Sequence, residues 1–243
     1  PALKRGLPPV EPMSAEQVAR IDAASMAILE EVGVVFRDPV ALEDWRRAGA
    51  EVRGERVHLD RHLVRELIAT IPARFTLHAR NPANSLPFGG DRAIFVPMTG
   101  APYMRDLDDV RRGPTLADLA DFHRLAHMAP ALHSVAHHIV EPMDMKVSHR
   151  HLAITLSAIR HSDKTFMGMT TSPRNAEDAL EMAALLFGAE FMETHAVVTG
   201  NCNGNSPLVW DETMLGAMRA FCRRNQPVLC SPFVLGGANT PAS

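Results

Sequence analysis

Four short apolar runs recur at a near-constant interval in the second half of this chain, and their spacing constrains the fold more than any other feature. They cover 131–140, 164–169, 195–200 and 226–231. Their second residues, Leu132, Thr165, Ala196 and Pro227, are 33, 31 and 31 residues apart. Segments with the apolar period of an amphipathic helix fill the gaps, over roughly 145–160, 173–187 and 211–224. A strand, a helix and two short loops repeated at such an interval make the unit of a parallel β/α fold. Nearly unbroken apolar runs suit strands buried on both faces. The expected fold class is α/β, with 131–243 forming the first four units of a (β/α)8 TIM barrel.

Residues 1–130 read as an α-rich region with a small β element. Pro1, Pro8, Pro9 and Pro12 predict an extended arm. Ser14 with Gln17 forms a capping-box pattern, after which Val18, Ile21, Ser25, Ile28, Leu29 and Val32 keep helical spacing until Gly33. Asp38-Pro39 opens a second helix that reaches Gly49, and Asp60 opens a third. Between them, 51–59 predicts a hairpin centred on Gly54. Short β-like pieces follow at 75–79 and 93–96, and Thr115 opens another helix. Barrel closure needs eight strands. The chain starts at Pro1 without an initiator Met and stops soon after its fourth run. A further C-terminal half, carrying part of the active site, is therefore expected.

Composition excludes several function classes. A net charge of −3 with no basic run leaves no footprint for nucleic acid. No apolar stretch approaches the length of a membrane span, and the first residues lack the apolar core of a signal peptide. Cys202, Cys222 and Cys230 have no CxxC spacing and read as free thiols of a reducing compartment, so the cytoplasm is the expected location.

Chemistry in a parallel β/α protein sits at the C-terminal ends of the strands. After the first run, Glu141 and Asp144 offer carboxylates that suit a bound cation or acid–base work. The plainer role for Asp144 is to cap the helix that follows, and for Glu141 to pair with a basic side chain. After the third run, Asn201, Asn203 and Asn205 offer uncharged amides to orient a polar group, or else make a turn. Aromatic residues are 5% of the chain, so Trp210, at the start of the next helix, and Phe233, after the fourth run, stand out as π-faces for an alkylammonium. Either also serves for packing. His133, His137, His138, His149 and His151 are numerous but poorly spaced for a metal. In a strand, His137 and His138 face opposite sides, and no metal site is expected. No phosphate-binding loop, GxGxxG fingerprint or GxSxG elbow is present.

An ordered series of short motifs resembles the trimethylamine methyltransferase family. It runs Ala79-Arg80-Asn81-Pro82, Gly89-Gly90-Asp91, Gly100-Ala101-Pro102, Asp106, Arg111-Arg112, Thr115-Leu116-Ala117-Asp118 and Leu125-Ala126. It continues with Glu141-Pro142-Met143-Asp144, Lys164 and Asn205-Ser206-Pro207-Leu208, so the resemblance covers the chain from about Ser14 onward. It implies a TIM barrel that demethylates a methylamine or a quaternary amine such as glycine betaine. The methyl group would pass to the cobalt of a separate corrinoid protein, with no cofactor bound to this chain directly. Pyrrolysine, where a member of the family has it, would lie beyond Ser243. A quaternary ammonium departs as a neutral amine, so the protein's task would be positioning and charge complementarity. Glu141 or Asp144 would hold the cation, Trp210 or Phe233 would lie beside it, and Asn201 or Asn203 would orient the polar tail. A homo-oligomer is expected. The alternatives are a metal-assisted hydrolase built on the histidines and Asp144, and a non-enzymatic quaternary-amine binding protein.

Overall fold

The computed structural model describes residues 2–205 and 207–231. They form two compact units: 2–5 with Arg74–Cys202 and Gly216–Leu229, and Gly6–Ala73 with Asn203–Leu215 and 230–231.

The second unit is built from local signals. Helix α1 (Ala15–Ala27) starts at the predicted capping box, with Ser14 accepting from the Gln17 amide and Gln17 accepting from the Ser14 amide. It runs on into a wide π turn, Ile28–Val32, closed by Gly33 at φ +72°. A Cβ at Gly33 would stand 2.6 Å from the Val57 carbonyl oxygen, so glycine is required twice over, by conformation and by space. Helix α2 (Pro39–Arg47) starts with Asp38 accepting from the Val40 amide. The hairpin forms as predicted, Glu51–Arg53 against Arg56–His58, and α3 (Arg61–Ala69) starts on the Asp60 carboxylate. These strands belong to a four-stranded sheet ordered Val209–Asp211, Val34–Arg37, Arg56–His58, Glu51–Arg53, in which the first pair is parallel. Val34, Phe36, Ala41, Val57, Leu59 and Leu215 form its core, with Trp45 and Trp210 packed against it. Each fully buried side chain of this kind stabilises by about 1.5–3 kcal/mol over exposure.

In the first unit the arm is extended but not free. Leu3–Lys4 pairs antiparallel with Arg92–Ala93, and Ala2 is buried beside Leu77 and Leu86. Phe75–Leu77 pairs antiparallel with Leu86–Phe88, and Met104–Arg105 with Arg111–Arg112. Helix α4 (Leu116–Met128) opens on a Thr115–Asp118 capping box, and Arg112 grips the same Asp118 carboxylate with two bonds of 2.7 Å. Helices α5 (Val147–His161), α6 (Pro173–Phe187) and α7 (Ala189–Thr194) follow, then α8 (Glu212–Arg223).

The four apolar runs lie side by side in sequence order, joined by parallel bridges Ser134–Thr165 and Met167–Thr199 and by the Gly200 amide bonded to the Pro227 carbonyl. They are less regular than predicted. In the first two, side chains enter the ladder: Ser134 Oγ donates to the Thr165 carbonyl and accepts from the Ala136 amide, and Ala136 has φ +55°. In the third run, α7 occupies the chain up to Thr194, and Gln226 Oε1 accepts from the Val197 and Val198 amides. The regular strand therefore begins later, at Gly200–Asn203, where it pairs with Val228–Ser231.

Two polar groups brace this arrangement. Lys164 Nζ donates to three carbonyls, those of Ala126, Ala129 and Leu132, at the end of α4. Gln226 Nε2 donates to those of Met192, His195 and Arg224. Phe221, fully buried on α8, lies against two glycines. A Cβ at Gly168 would come within 2.9 Å of its ring, and one at Gly200 within 3.3 Å.

Candidate functional site

Glu141 ends the first run and is fixed on two sides. Its amide donates to the Ala101 carbonyl at 2.9 Å, beside the parallel bridge of Ala101 to Val140. Arg150, one turn into α5, donates from Nη1 to Glu141 Oε1 at 2.8 Å and from Nη2 to the Met145 carbonyl. His138 Nε2 lies 3.6 Å from Oε2, beyond hydrogen-bond reach. Oε2 thus keeps acceptor capacity in a half-buried position, while the charge of Glu141 is balanced by Arg150.

Behind Glu141 stands a cluster of three histidines. The rings of His137 and His138 stack, with centroids 4.2 Å apart. The expectation that they face opposite sides is overturned, because the positive φ of Ala136 interrupts the alternation of a regular strand. His123, on α4, donates from Nε2 to the His137 carbonyl at 2.7 Å, so its Nδ1 accepts from the Ser157 hydroxyl at 2.9 Å. The His138 amide donates to His137 Nδ1, which suits a neutral ring. Burial pushes His123 down to about 4 and His137 to about 3, and lowers His138 against the opposing pull of Glu141. The cluster is neutral near pH 7, which leaves Arg150 as the cation beside Glu141.

The other predicted residues take separate places. Asp144 is exposed, and its Oδ1 accepts from the Leu116 amide at 2.9 Å. It thus caps α4, 28 residues earlier, and not the following helix, whose first residue Val147 follows Lys146 with no side-chain cap. The carbonyl of Asn201, in the first unit, accepts from the Thr170 hydroxyl. In the second unit, Asn203 Oδ1 accepts from Ser231, and Asn205 is bonded to Asp211 through both its amide oxygen and nitrogen. Trp210 lies in a strand, level with Phe36, and not at the start of a helix; it packs on the core of its unit. Phe233 lies outside the described residues. Sequence reasoning foresaw a basic partner for Glu141 but not that it is Arg150. The signal was available: Arg150 falls one turn into the helix that follows Glu141.

A family model described as trimethylamine methyltransferase (MTTB) matches residues 1–243. The chain belongs to the trimethylamine methyltransferase family. It is 40% identical over 238 residues to the glycine betaine methyltransferase of Desulfitobacterium hafniense (strain Y51), covering 98% of this chain and 50% of that protein. It is 28% identical over 184 residues to the trimethylamine methyltransferase MttB of Desulfitobacterium hafniense (strain DSM 10664 / DCB-2), covering 73% of this chain and 36% of that one. To the L-carnitine:corrinoid methyltransferase of Eubacterium limosum it is 20% identical over 243 residues, 94% of this chain and 48% of that one. The chain thus spans about half the length of the first of these relatives, and less of the others. The crystal structure of the hydroxylamine MtmB complex matches with a TM-score of 0.58 at 10% identity, over 91% of this chain and 46% of that one. That likeness fits the mixed α/β fold described above.

Within this family member a second histidine cluster is distinct from the first. A cavity of about 370 Å³ opens between α5 and α6, lined by His149, His151, Arg174, Asn175 and Asp178 among others. His151 is buried and donates from Nε2 to Asp178 at 2.7 Å, while its Nδ1 has no hydrogen-bond partner among the described residues. Among the described residues, no group of three or more His, Cys, Asp or Glu is placed to hold a metal ion. No described helix is long and apolar enough to cross a membrane.

Proposed function

We propose that this protein moves a methyl group from a quaternary or tertiary methylamine, of the glycine betaine or trimethylamine kind, to the cobalt of a corrinoid held by a separate protein. The observation that carries this is the 40% identity to a glycine betaine methyltransferase along 98% of the chain. Glycine betaine is accordingly the preferred substrate class. The reduced cobalt of the partner would supply the electron pair that takes the methyl group, and a quaternary ammonium, or a tertiary amine bound in its protonated form, would then depart as a neutral amine. The task left to this chain is to hold the cation, turn its methyl group outward and exclude water.

The parallel bridges between consecutive runs, with helices between them, support reading 131–243 as the first four units of a (β/α)8 barrel after an α-rich region over 1–130. Glu141 is the strongest member of the predicted site. Its oriented carboxylate has one oxygen without a hydrogen-bond partner among the described residues, and Arg150 balances its charge when no substrate is present. Asn201 is assigned to the polar tail of the substrate, and Asp144 is retained as a contributor. The location is cytoplasmic and the assembled state a homo-oligomer.

The test is methylation of reduced cobalamin by the full-length protein, followed spectroscopically with glycine betaine, other betaines and trimethylamine. Transfer from at least one amine, weakened in Glu141→Gln, is expected. No transfer from any, with folded protein and reduced cobalamin confirmed, would sink the proposal.

A further inference from the structure

The hydrogen bonds around His138 and Glu141 fix where the protons between them lie. His137 Nδ1 accepts from the His138 amide at 2.7 Å, so that nitrogen carries no proton. His138 Nδ1 faces the same nitrogen, and the hydrogen between the two rings therefore belongs to His138. A neutral His138 with its proton on Nδ1 presents a lone pair at Nε2. Burial lowers the His138 pKa, so the ring takes up no second proton near pH 7. Nε2 and Glu141 Oε2 thus stand 3.6 Å apart as two acceptors with no hydrogen to share. The other carboxylate oxygen, Oε1, is bonded to Arg150.

Two acceptors held face to face repel each other unless a donor comes to both, and partly buried polar atoms are seldom left without one. The approach to Nε2 has room for it. Apart from its neighbours in the chain, a Cβ built on Gly100 would meet only His138 Nε2 among the described residues, at 3.5 Å. The His138 and Glu141 side chains are 17% and 25% exposed, so the pair is sheltered but reachable.

We propose that His138 Nε2 and Glu141 Oε2 together receive the N–H of a tertiary methylammonium, which makes His138 a specificity-determining residue that tells a demethylated amine from its quaternary parent. The inference rests on the assignment of the substrate cation to Glu141 made above. A quaternary ammonium meets the carboxylate charge but has no N–H to give. Once a methyl group has left it, the neutral amine takes one proton from solvent and gains an N–H, which the two acceptors can share. The same contact holds a tertiary methylamine in its protonated form. The demethylated amine therefore competes with the next quaternary substrate for Glu141.

The experiment is calorimetric titration of the full-length protein, without its corrinoid partner, with glycine betaine and with dimethylglycine. These share one carboxylate tail and differ in whether the nitrogen bears a methyl group or a proton. Dimethylglycine should bind roughly tenfold more tightly, the equivalent of one charge-assisted hydrogen bond net of its hydration. In His138→Phe, which keeps the ring and removes the lone pair, the two affinities should come within about twofold of each other. Glu141→Gln, which removes the charge, should weaken both ligands. Nitrogen-15 NMR of the wild-type protein labelled at histidine reads the lone pair without a substitution, and the His138 proton is expected on Nδ1. Equal affinities in the wild type, a preference that survives His138→Phe, loss of both ligands in folded His138→Phe, or a proton on Nε2 would each overturn the proposal while leaving the amine reading in place. Binding of neither ligand to the wild type would overturn both.

Discussion

Arg150 donates to Glu141 at 2.8 Å, and the two side chains are only 17% and 25% exposed. Removing one member of a mostly buried pair costs more than the pair contributes, because the other charge is left without compensation. Arg150→Met is expected to lower stability by about 2–4 kcal/mol. The double variant E141Q/R150M should recover most of that loss. Urea unfolding of the two variants measures both quantities, and a loss under about 0.5 kcal/mol for Arg150→Met would mean that solvent already screens the pair.

The neutral histidines give the folded state a pH dependence. His123 and His137 are held near 4 and 3, chiefly by burial, against an ordinary value of 6.5. Between these values the unfolded chain binds protons that the folded chain does not, so their contribution is full above 6.5 and drains away as pH falls toward 4. Denaturant unfolding at a series of pH values should show stability falling across that window. In His123→Asn the slope should be shallower by nearly one proton. A flat wild-type profile would contradict the assignment.

Lys164 is a structural lysine. Replacing it with Met strands three carbonyls near the junction of α4 and the first run. A loss of about 2–3 kcal/mol is expected, at roughly 1 kcal/mol for each bond. Hydrogen exchange should find the opening concentrated at 126–135, and uniform loosening of the chain would argue against this role.

Gly33→Ala is expected to cost at least about 1–3 kcal/mol, since alanine would carry both a positive φ and a Cβ 2.6 Å from the Val57 carbonyl oxygen. A melt of that variant matching wild type would show that the Arg56–His58 strand can move aside.

The sequence was most informative where cause and effect are close along the chain. The caps at Ser14, Asp38, Asp60 and Thr115 and the hairpin about Gly54 follow from neighbours a few residues away, and the structure has them where they were expected. Features that depend on distant chain were hidden. Asp144 meets its amide 28 residues back, and Trp210 joins a strand that aligns it with Phe36. Neither partner leaves a mark at local spacing. The stacked His137 and His138 were missed for another reason: a strand period was assumed across Ala136, an alanine with the φ usually reserved for glycine. At the candidate site, residue types alone pointed to Glu141, while its orientation depends on Ala101 and Arg150, which only the folded chain brings to it.

The contact of Phe221 with Gly168 and Gly200 has a bearing on inheritance. A Cβ at Gly168 would stand 2.9 Å from the ring, so alanine there requires the ring to shift, while one at Gly200 would stand 3.3 Å from the ring and 3.1 Å from Thr170, which requires each to give by a few tenths of an ångström. Sites drawn from the second run, the third run and α8 therefore constrain one another through a single ring. A lineage that shrinks the ring relieves only part of the crowding, since Ala179 stands 3.1 Å from a Cβ at Gly168 and Thr170 3.1 Å from one at Gly200.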